Sequence, residues 1–289
     1  VYKRQDLLFV ESSFGGNSEA WRNQIAGFCP PRQALSELTY WCRKRGIPTV
    51  FWNKEDPINF DWFIGAASAF DWIFTVDADS IPRYRRELGH NRIGVIPFAA
   101  QTAIHYPPPD DGTRDHDVAF AGSYYARKHP ERRDQMETIL APALDFGLDI
   151  YDRMGHLDDP RFGWPEQYRD HVRGSLSYPQ TTEAYRRYKV FLNINTITES
   201  PTMCARRVFE LLASGTPVVS GPSRAIEEMV PADAIRIARS KDETNEHLEV
   251  LLSSGGARSR MAEAGLRWIR SGNSAEARVD EILETIGIA

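Results

Sequence analysis

Cysteine is scarce in this sequence. Three residues, Cys29, Cys42 and Cys204, are spread over 289 positions. They have no paired spacing, which argues against a disulfide framework or a structural zinc site and fits a reducing compartment. Long apolar runs are also lacking: none approaches the ~20 residues needed to cross a bilayer. The first residues, VYKRQDLLFV, do not follow the basic, apolar, small order of a signal peptide. A cytoplasmic protein without a transmembrane segment is therefore expected. Because the chain starts almost directly on a strand, residues before Val1 are expected to be missing. Positive charge is not in excess either, and the formal net charge of -5 gives no general reason to expect nucleic acid as a partner. Internal repeats and low-complexity segments are absent, and the seven histidines are scattered.

What is present is a globular composition, 42% hydrophobic and 26% charged, enough to bury two cores in a chain of this length. Short apolar runs alternate with helical stretches. Strands are expected at residues 6–10, 47–51, 72–76 and 92–97, and a helix from Pro31 whose inner face carries Ala34, Leu35, Leu38, Trp41 and Cys42. The first three strands end in polar loops, ESSFGGN, WNKEDP and the Asp77/Asp79 pair. Residues 99–117, with Pro107, Pro108, Pro109 and Gly112, show no periodicity and read as a linker. A second alternation follows: strands at residues 117–120, 148–151, 190–193, 217–220 and 235–237, with helices at 130–146, 181–188, 225–229, 243–252, 257–269 and 275–286. Residues 162–177 read as irregular. Alternation of this kind predicts α/β domains with parallel sheets, whose ligands bind at the carboxyl ends of the strands.

The stretch from Ser200 to Pro222, SPTMCARRVFELLASGTPVVSGP, stands out. The spacing predicts a helix opening at Pro201 and ending at Gly215 and Pro217. Arg206, Arg207 and Glu210 are set into it. A helix start with adjacent arginines can hold a diphosphate on its free amides, at Thr202 and Met203, and Glu210 could accept hydrogen bonds from both hydroxyls of a ribose. An amphipathic helix whose charges face water is the alternative.

The segment FELLASGTPVV, residues 209–219, resembles the nucleotide-binding signature of group 1 glycosyltransferases of the GT-B fold. The wider match is to their CgeB-like branch, through DLLFVES near the start, PTVFWNKEDP at 48–57, FAGSYYARKHPERR at 120–133 and the Ser200–Ser220 stretch. The resemblance implies two Rossmann-like domains with parallel sheets facing each other across a cleft. Residues 1–106 would form the acceptor-side domain. Residues 107–289 would form the nucleotide-sugar domain, its last helix packing back towards the first. The implied activity is transfer of a sugar from a nucleotide diphosphate, most commonly UDP, to an acceptor hydroxyl, with retention and without metal or other cofactor. The acceptor could be a glycan, lipid, protein or small molecule.

Residue by residue, the resemblance implies that Glu210 binds the donor ribose. It also implies that Gly122, Ser123 and Tyr124 form the glycine-containing donor loop, with Arg127 and Lys128 meeting the phosphates as catalytic cations. Thr202 and Met203 would offer amides to the diphosphate, and Arg206 and Arg207 charge. A second family glutamate is expected eight residues before Glu210, where Thr202 stands, which leaves Glu199 as the nearest acid for the donor sugar. SGNSAEAR at 271–278 also lacks the histidine and tyrosine expected before its arginine. Acceptor-side candidates are Glu11, Asn53, Lys54, Glu55, Asp56 and His105. Asp77 and Asp79 form a D-x-D of the kind that can hold a metal against a diphosphate, but the pair falls in the expected acceptor domain, where Asp77 is read instead as capping the following helix or lining the acceptor cleft. A nucleotide-sugar epimerase with the same donor cradle, and a binding module without chemistry, are the competing functions.

Overall fold

Short β-branched and aromatic runs closed by Gly, Pro or Asp become parallel strands in the computed structural model, which describes residues 5–28, 31–110, 114–157 and 159–288. Cys29 and the Gly112 part of the expected linker lie outside the described residues. The chain divides into two compact units.

The first unit comprises Val1–Phe98, Ser200–Met203 and Ile282–Ala289. Its strands β1 (Leu8–Glu11), β2 (Thr49–Asn53), β3 (Trp72–Thr75) and β4 (Ile93–Val95) lie in sequence order and all run parallel. Helix α1 (Gln33–Arg43) follows β1. Two helices go beyond the sequence expectation, α2 (Phe60–Ala67) and α3 (Ile81–Leu88), each eight residues long and too short for a helical period to stand out. Phe51, Phe60, Phe63, Ile73 and Tyr84 are fully enclosed in the main core, and Val50, Phe74 and Ile96 pack with Ile282 in a smaller one.

The second unit comprises Ala99–Glu199 and Cys204–Glu281. Its strands are β5 (His116–Gly122), β6 (Leu148–Asp152), β7 (Tyr188–Asn193), β8 (Val218–Ser220) and β9 (Arg236–Ile237), in the order β6-β5-β7-β8-β9 and all parallel. The chain leaves β5 towards β6 and returns to β7 on β5's other side. The carboxyl ends of β5 and β7 therefore flank a topological switch point, where open parallel sheets bind ligands. The helices are α4 (Pro130–Ala143), α5 (Glu166–Arg169), α6 (Tyr178–Arg187), α7 (Arg207–Ala213), α8 (Arg224–Met229), α9 (Lys241–Ser253) and α10 (Gly255–Arg270), while α11 (Ala275–Ile286) starts in this unit and belongs to the first from Ile282 onwards. The one-turn α5 falls within the stretch expected to be irregular.

Two boundaries differ from the sequence expectation. The units divide between Phe98 and Ala99, ahead of the proline run. Those prolines belong to the second unit: a Cβ on Gly215 would lie 3.2 Å from Pro107 Cβ. The second difference is the start of α7, at Arg207 rather than Pro201. Ser200 Oγ accepts from Met203 N at 3.0 Å, and Thr202 Oγ1 donates to Val76 O and accepts from Ala78 N, both at 2.9 Å. These side-chain bonds offer the backbone an alternative to the helical ladder and hold Ser200–Met203 within the first unit. The helix ends where expected. Gly215 takes a left-handed conformation with φ of 61°, and buried Arg114 donates to the carbonyls of Ser214 and Gly215 at 3.0 and 2.7 Å.

Candidate functional site

α7 places Glu210 against the second unit's core with only 5% of its surface exposed. A carboxylate this deep needs partners. Tyr185 Oη, from α6, donates to Oε2 at 3.3 Å, and Arg206 Nε lies 2.9 Å from Oε1. His105 Nε2 is 3.8 Å from Oε1 and 2.9 Å from Tyr178 Oη. Burial pushes the His105 pKa below its ordinary value, with Glu210 opposing, so the ring is neutral at pH 7. The Tyr185 hydroxyl is pushed up, first by burial and then by Glu210.

A second group of charges gathers at the switch point. Arg132, in the first turn of α4, is 7% exposed and donates to Ile194 O and Thr196 Oγ1, both at 3.2 Å, and to Ser123 O at 3.5 Å. It thus spans the segments that leave β5 and β7. Arg207 stacks its guanidinium over Phe120, 5.3 Å from the ring centroid. A Cβ on Gly122 would stand 2.7 Å from Phe120 Cζ and 3.5 Å from Arg207 Nη2, so glycine is what lets this guanidinium approach the end of β5. Arg153 donates its Nε to Ser123 Oγ at 3.4 Å. Burial, and after it the neighbouring Arg207, lower the Arg132 pKa to about 10, with Arg153 adding to the effect. Arg132 therefore stays charged at neutral pH. Arg132 Nε and Arg207 Nη1 are buried with no hydrogen-bond partner among the described residues. Crowded guanidinium groups with unmet donors suit an anion, and the planar fork matches phosphate oxygens.

The structure thus brings Gly122, Ser123, Arg206, Arg207 and Glu210 into one neighbourhood of the second unit. It also places His105 there, beside Glu210, rather than on the acceptor side, because the linker prolines pack within this unit. Arg127 and Lys128 are exposed, whereas Arg132, from the same string, is buried at the switch point and the exposed Arg153 reaches Ser123 from the end of β6. Tyr124 packs on Trp164 with centroids 5.4 Å apart, on the side of the core. Glu199 is exposed and accepts from Thr198 Oγ1 at 3.1 Å. The amide of Met203 is engaged by Ser200 Oγ, and that of Thr202 lies 3.4 Å from the same atom. Neither opens a helix, so the helix-terminus argument for these two residues no longer holds. Sequence reasoning missed Arg132, Arg153, Tyr178 and Tyr185. The HPERR string contained the signal for Arg132, but only the fold shows which of its cations turns inward.

The acceptor-side candidates divide. Asn53 and Asp56 are fully buried: Asp56 accepts from Asn53 Nδ2 at 2.7 Å, Thr75 Oγ1 at 2.6 Å and Tyr84 Oη at 2.9 Å. Burial pushes the Asp56 pKa up to about 7, with Thr75 and Tyr84 opposing. These two residues brace the loop after β2. Glu55 accepts from Asn59 Nδ2 at 2.9 Å within that loop. Glu11 and Lys54 form an ion pair of 2.7 Å at the carboxyl ends of β1 and β2. In the D-x-D, Asp77 accepts from Ser80 Oγ and Ser200 Oγ, both at 2.6 Å, and caps the following turn through Asp79 N.

Two bodies built on parallel sheets are the architecture of the GT-B glycosyltransferases. Residues 132–284 match a family model described as glycosyl transferase-like, which spans more than half of the chain. The chain belongs to that family, and its enzymatic class is glycosyltransferase. A glycosyltransferase from Rickettsia africae superposes with a TM-score of 0.62 at 9% identity, covering 98% of each chain. Anabaena HepE, solved with UDP and glucose, gives 0.60 at 11% identity, covering 89% of this chain and 76% of its own. Sucrose-phosphate synthase from Thermosynechococcus elongatus gives 0.55 at 14% identity, covering 88% and 78%. At these identities the likeness speaks for the fold. No curated protein matches the sequence. No helix among the described residues is long and apolar enough to cross a membrane.

Proposed function

We propose that this glycosyltransferase uses a UDP-sugar as donor and transfers the sugar to an acceptor hydroxyl, with retention and without a metal. The observation that carries this reading is the pairing of a buried carboxylate, Glu210, with the guanidinium groups of buried Arg132 and half-buried Arg207, each holding a buried nitrogen without a hydrogen-bond partner among the described residues. The carboxylate suits the two hydroxyls of a ribose. The cations suit a diphosphate that gains charge as the glycosidic bond breaks, and preorganised donors there lower the barrier. UDP as nucleotide is supported by the HepE complex with UDP and glucose. The four sequence strings support placement in the CgeB-like branch. The first unit is assigned to the acceptor, with the Glu11–Lys54 pair as its polar contact.

The test is release of UDP from UDP-glucose by the whole protein with candidate acceptors present, in buffer containing EDTA. Acceptor-dependent release is expected. Glu210→Ala is expected to weaken UDP binding at least tenfold, because bonds to a charged group contribute about 1.5–3 kcal/mol. A Glu210→Ala variant with unchanged affinity would falsify the ribose assignment, and activity abolished by EDTA would refute the metal-free reading.

A further inference from the structure

Arg206 and Arg207 are adjacent in sequence and differ in what they do. Arg207 lies over Phe120 beside Gly122, with one nitrogen buried and without a hydrogen-bond partner among the described residues. Arg206 is 53% exposed in its side chain and reaches one helical turn forward to pair with Glu210 Oε1. With Tyr185 on Oε2, both carboxylate oxygens are already engaged in the free protein. A ribose with two hydroxyls must either share Oε1 with Arg206 or displace it. The anion site explains where Arg206 rests. Arg207 and Arg153 already repel Arg132, so a further guanidinium gains nothing by joining them while the site is empty. A diphosphate reverses the sign of the local field, and an exposed, flexible arginine then has a better partner than a carboxylate that already holds Tyr185.

We propose that Arg206 is the residue by which this site selects nucleoside diphosphates over nucleosides. It occupies Glu210 until a diphosphate is present to draw it away, which exposes the carboxylate to the ribose. A nucleoside without phosphates must displace Arg206 with no compensating bond. This inference rests on the assignment of Glu210 to the ribose.

Calorimetric titration of the whole protein with uridine and with UDP tests it. In Arg206→Ala and in Arg206→Met, which keeps an apolar stem, UDP affinity should fall by on the order of 10–100-fold. Uridine affinity should stay the same or rise, so that the UDP-to-uridine selectivity collapses. Equal weakening of both ligands, or unchanged UDP affinity, overturns the proposal. Glu210→Ala, titrated alongside, separates the two assignments. If it leaves uridine binding intact, the ribose reading has failed and this proposal with it. If it abolishes uridine binding while both Arg206 variants weaken the two ligands equally, the ribose reading stands and Arg206 only supports Glu210. Wild-type protein that binds neither probe overturns both.

Discussion

Replacing Arg132 with methionine tests the anion site at its most buried point. In the free protein the substitution removes three hydrogen bonds, to Ile194 O, Thr196 Oγ1 and Ser123 O. It also removes a buried charge that Arg207 repels. The first loss costs about 1 kcal/mol per bond, and the second change offsets part of it, because a buried like-charge pair without a counterion is unfavourable. The melting temperature of the free variant should therefore fall by only a few degrees. Diphosphate binding should respond far more. A charge-assisted bond to phosphate contributes about 1.5–3 kcal/mol, or roughly 10–100-fold in dissociation constant. At a UDP concentration 100 times the wild-type constant, the ligand stabilises wild-type protein by ~2.7 kcal/mol. A 100-fold weaker variant at the same concentration retains about 0.4 kcal/mol, so most of the thermal shift disappears. Arg260→Met, at an exposed arginine on α10, serves as the control and should keep the full shift. An Arg132→Met protein that melts near wild type and still shows the full UDP shift would refute the assignment of the buried arginines to a diphosphate.

Two further outcomes follow from the geometry. Gly122→Ala places a Cβ 2.7 Å from Phe120 Cζ, so the ring beneath Arg207 has to move. Overpacking of this kind costs about 1–3 kcal/mol, and UDP affinity should fall with it; a variant unchanged in both chemical denaturation and titration would show that the close approach is not required. Asp56 sets a pH dependence in the first unit. Its pKa is raised in the folded state to about 7. The folded state is therefore favoured most below the unfolded carboxyl value, and that advantage is lost as pH rises through 7, by at most roughly 4 kcal/mol at 1.36 kcal/mol per unit. Wild type compared with the non-titrating Asp56→Asn should lose relative stability in denaturant between pH 5 and pH 8, and parallel stability curves would contradict the assignment.

The resemblance of four strings to one family, laid over an alternation of short apolar runs and helices, was enough to give the fold. The reason is that parallel strands buried on both faces read as continuous apolar runs. Helices as long as α4, α9 and α10 also leave a period. Eight-residue α2 and α3 do not, and they came only from the structure. The start of α7 was misjudged for a related reason. Pro201 is compatible with a helix, but Ser200 and Thr202 bond to the backbone around them and to the loop after β3, contacts across more than 120 residues that no local pattern records.

The sequence by itself singled out Arg206, Arg207 and Glu210 in one string and Gly122 in another as candidates for a nucleotide, because each string resembles a contiguous motif of one family. Tertiary structure alone decided which cations are buried at the switch point. Arg127, Lys128, Arg132 and Arg133 are chemically similar in a string, and only the strand order that sets β5 beside β7 turns Arg132 inward and leaves Arg127 and Lys128 in solvent. It likewise set His105, expected in the linker, beside Glu210, and buried Asp56, an acceptor-side candidate, within its own loop. Burial and the sign of neighbouring charge are properties of the packed chain, so a charged residue's identity can be read from sequence while its task waits on the fold.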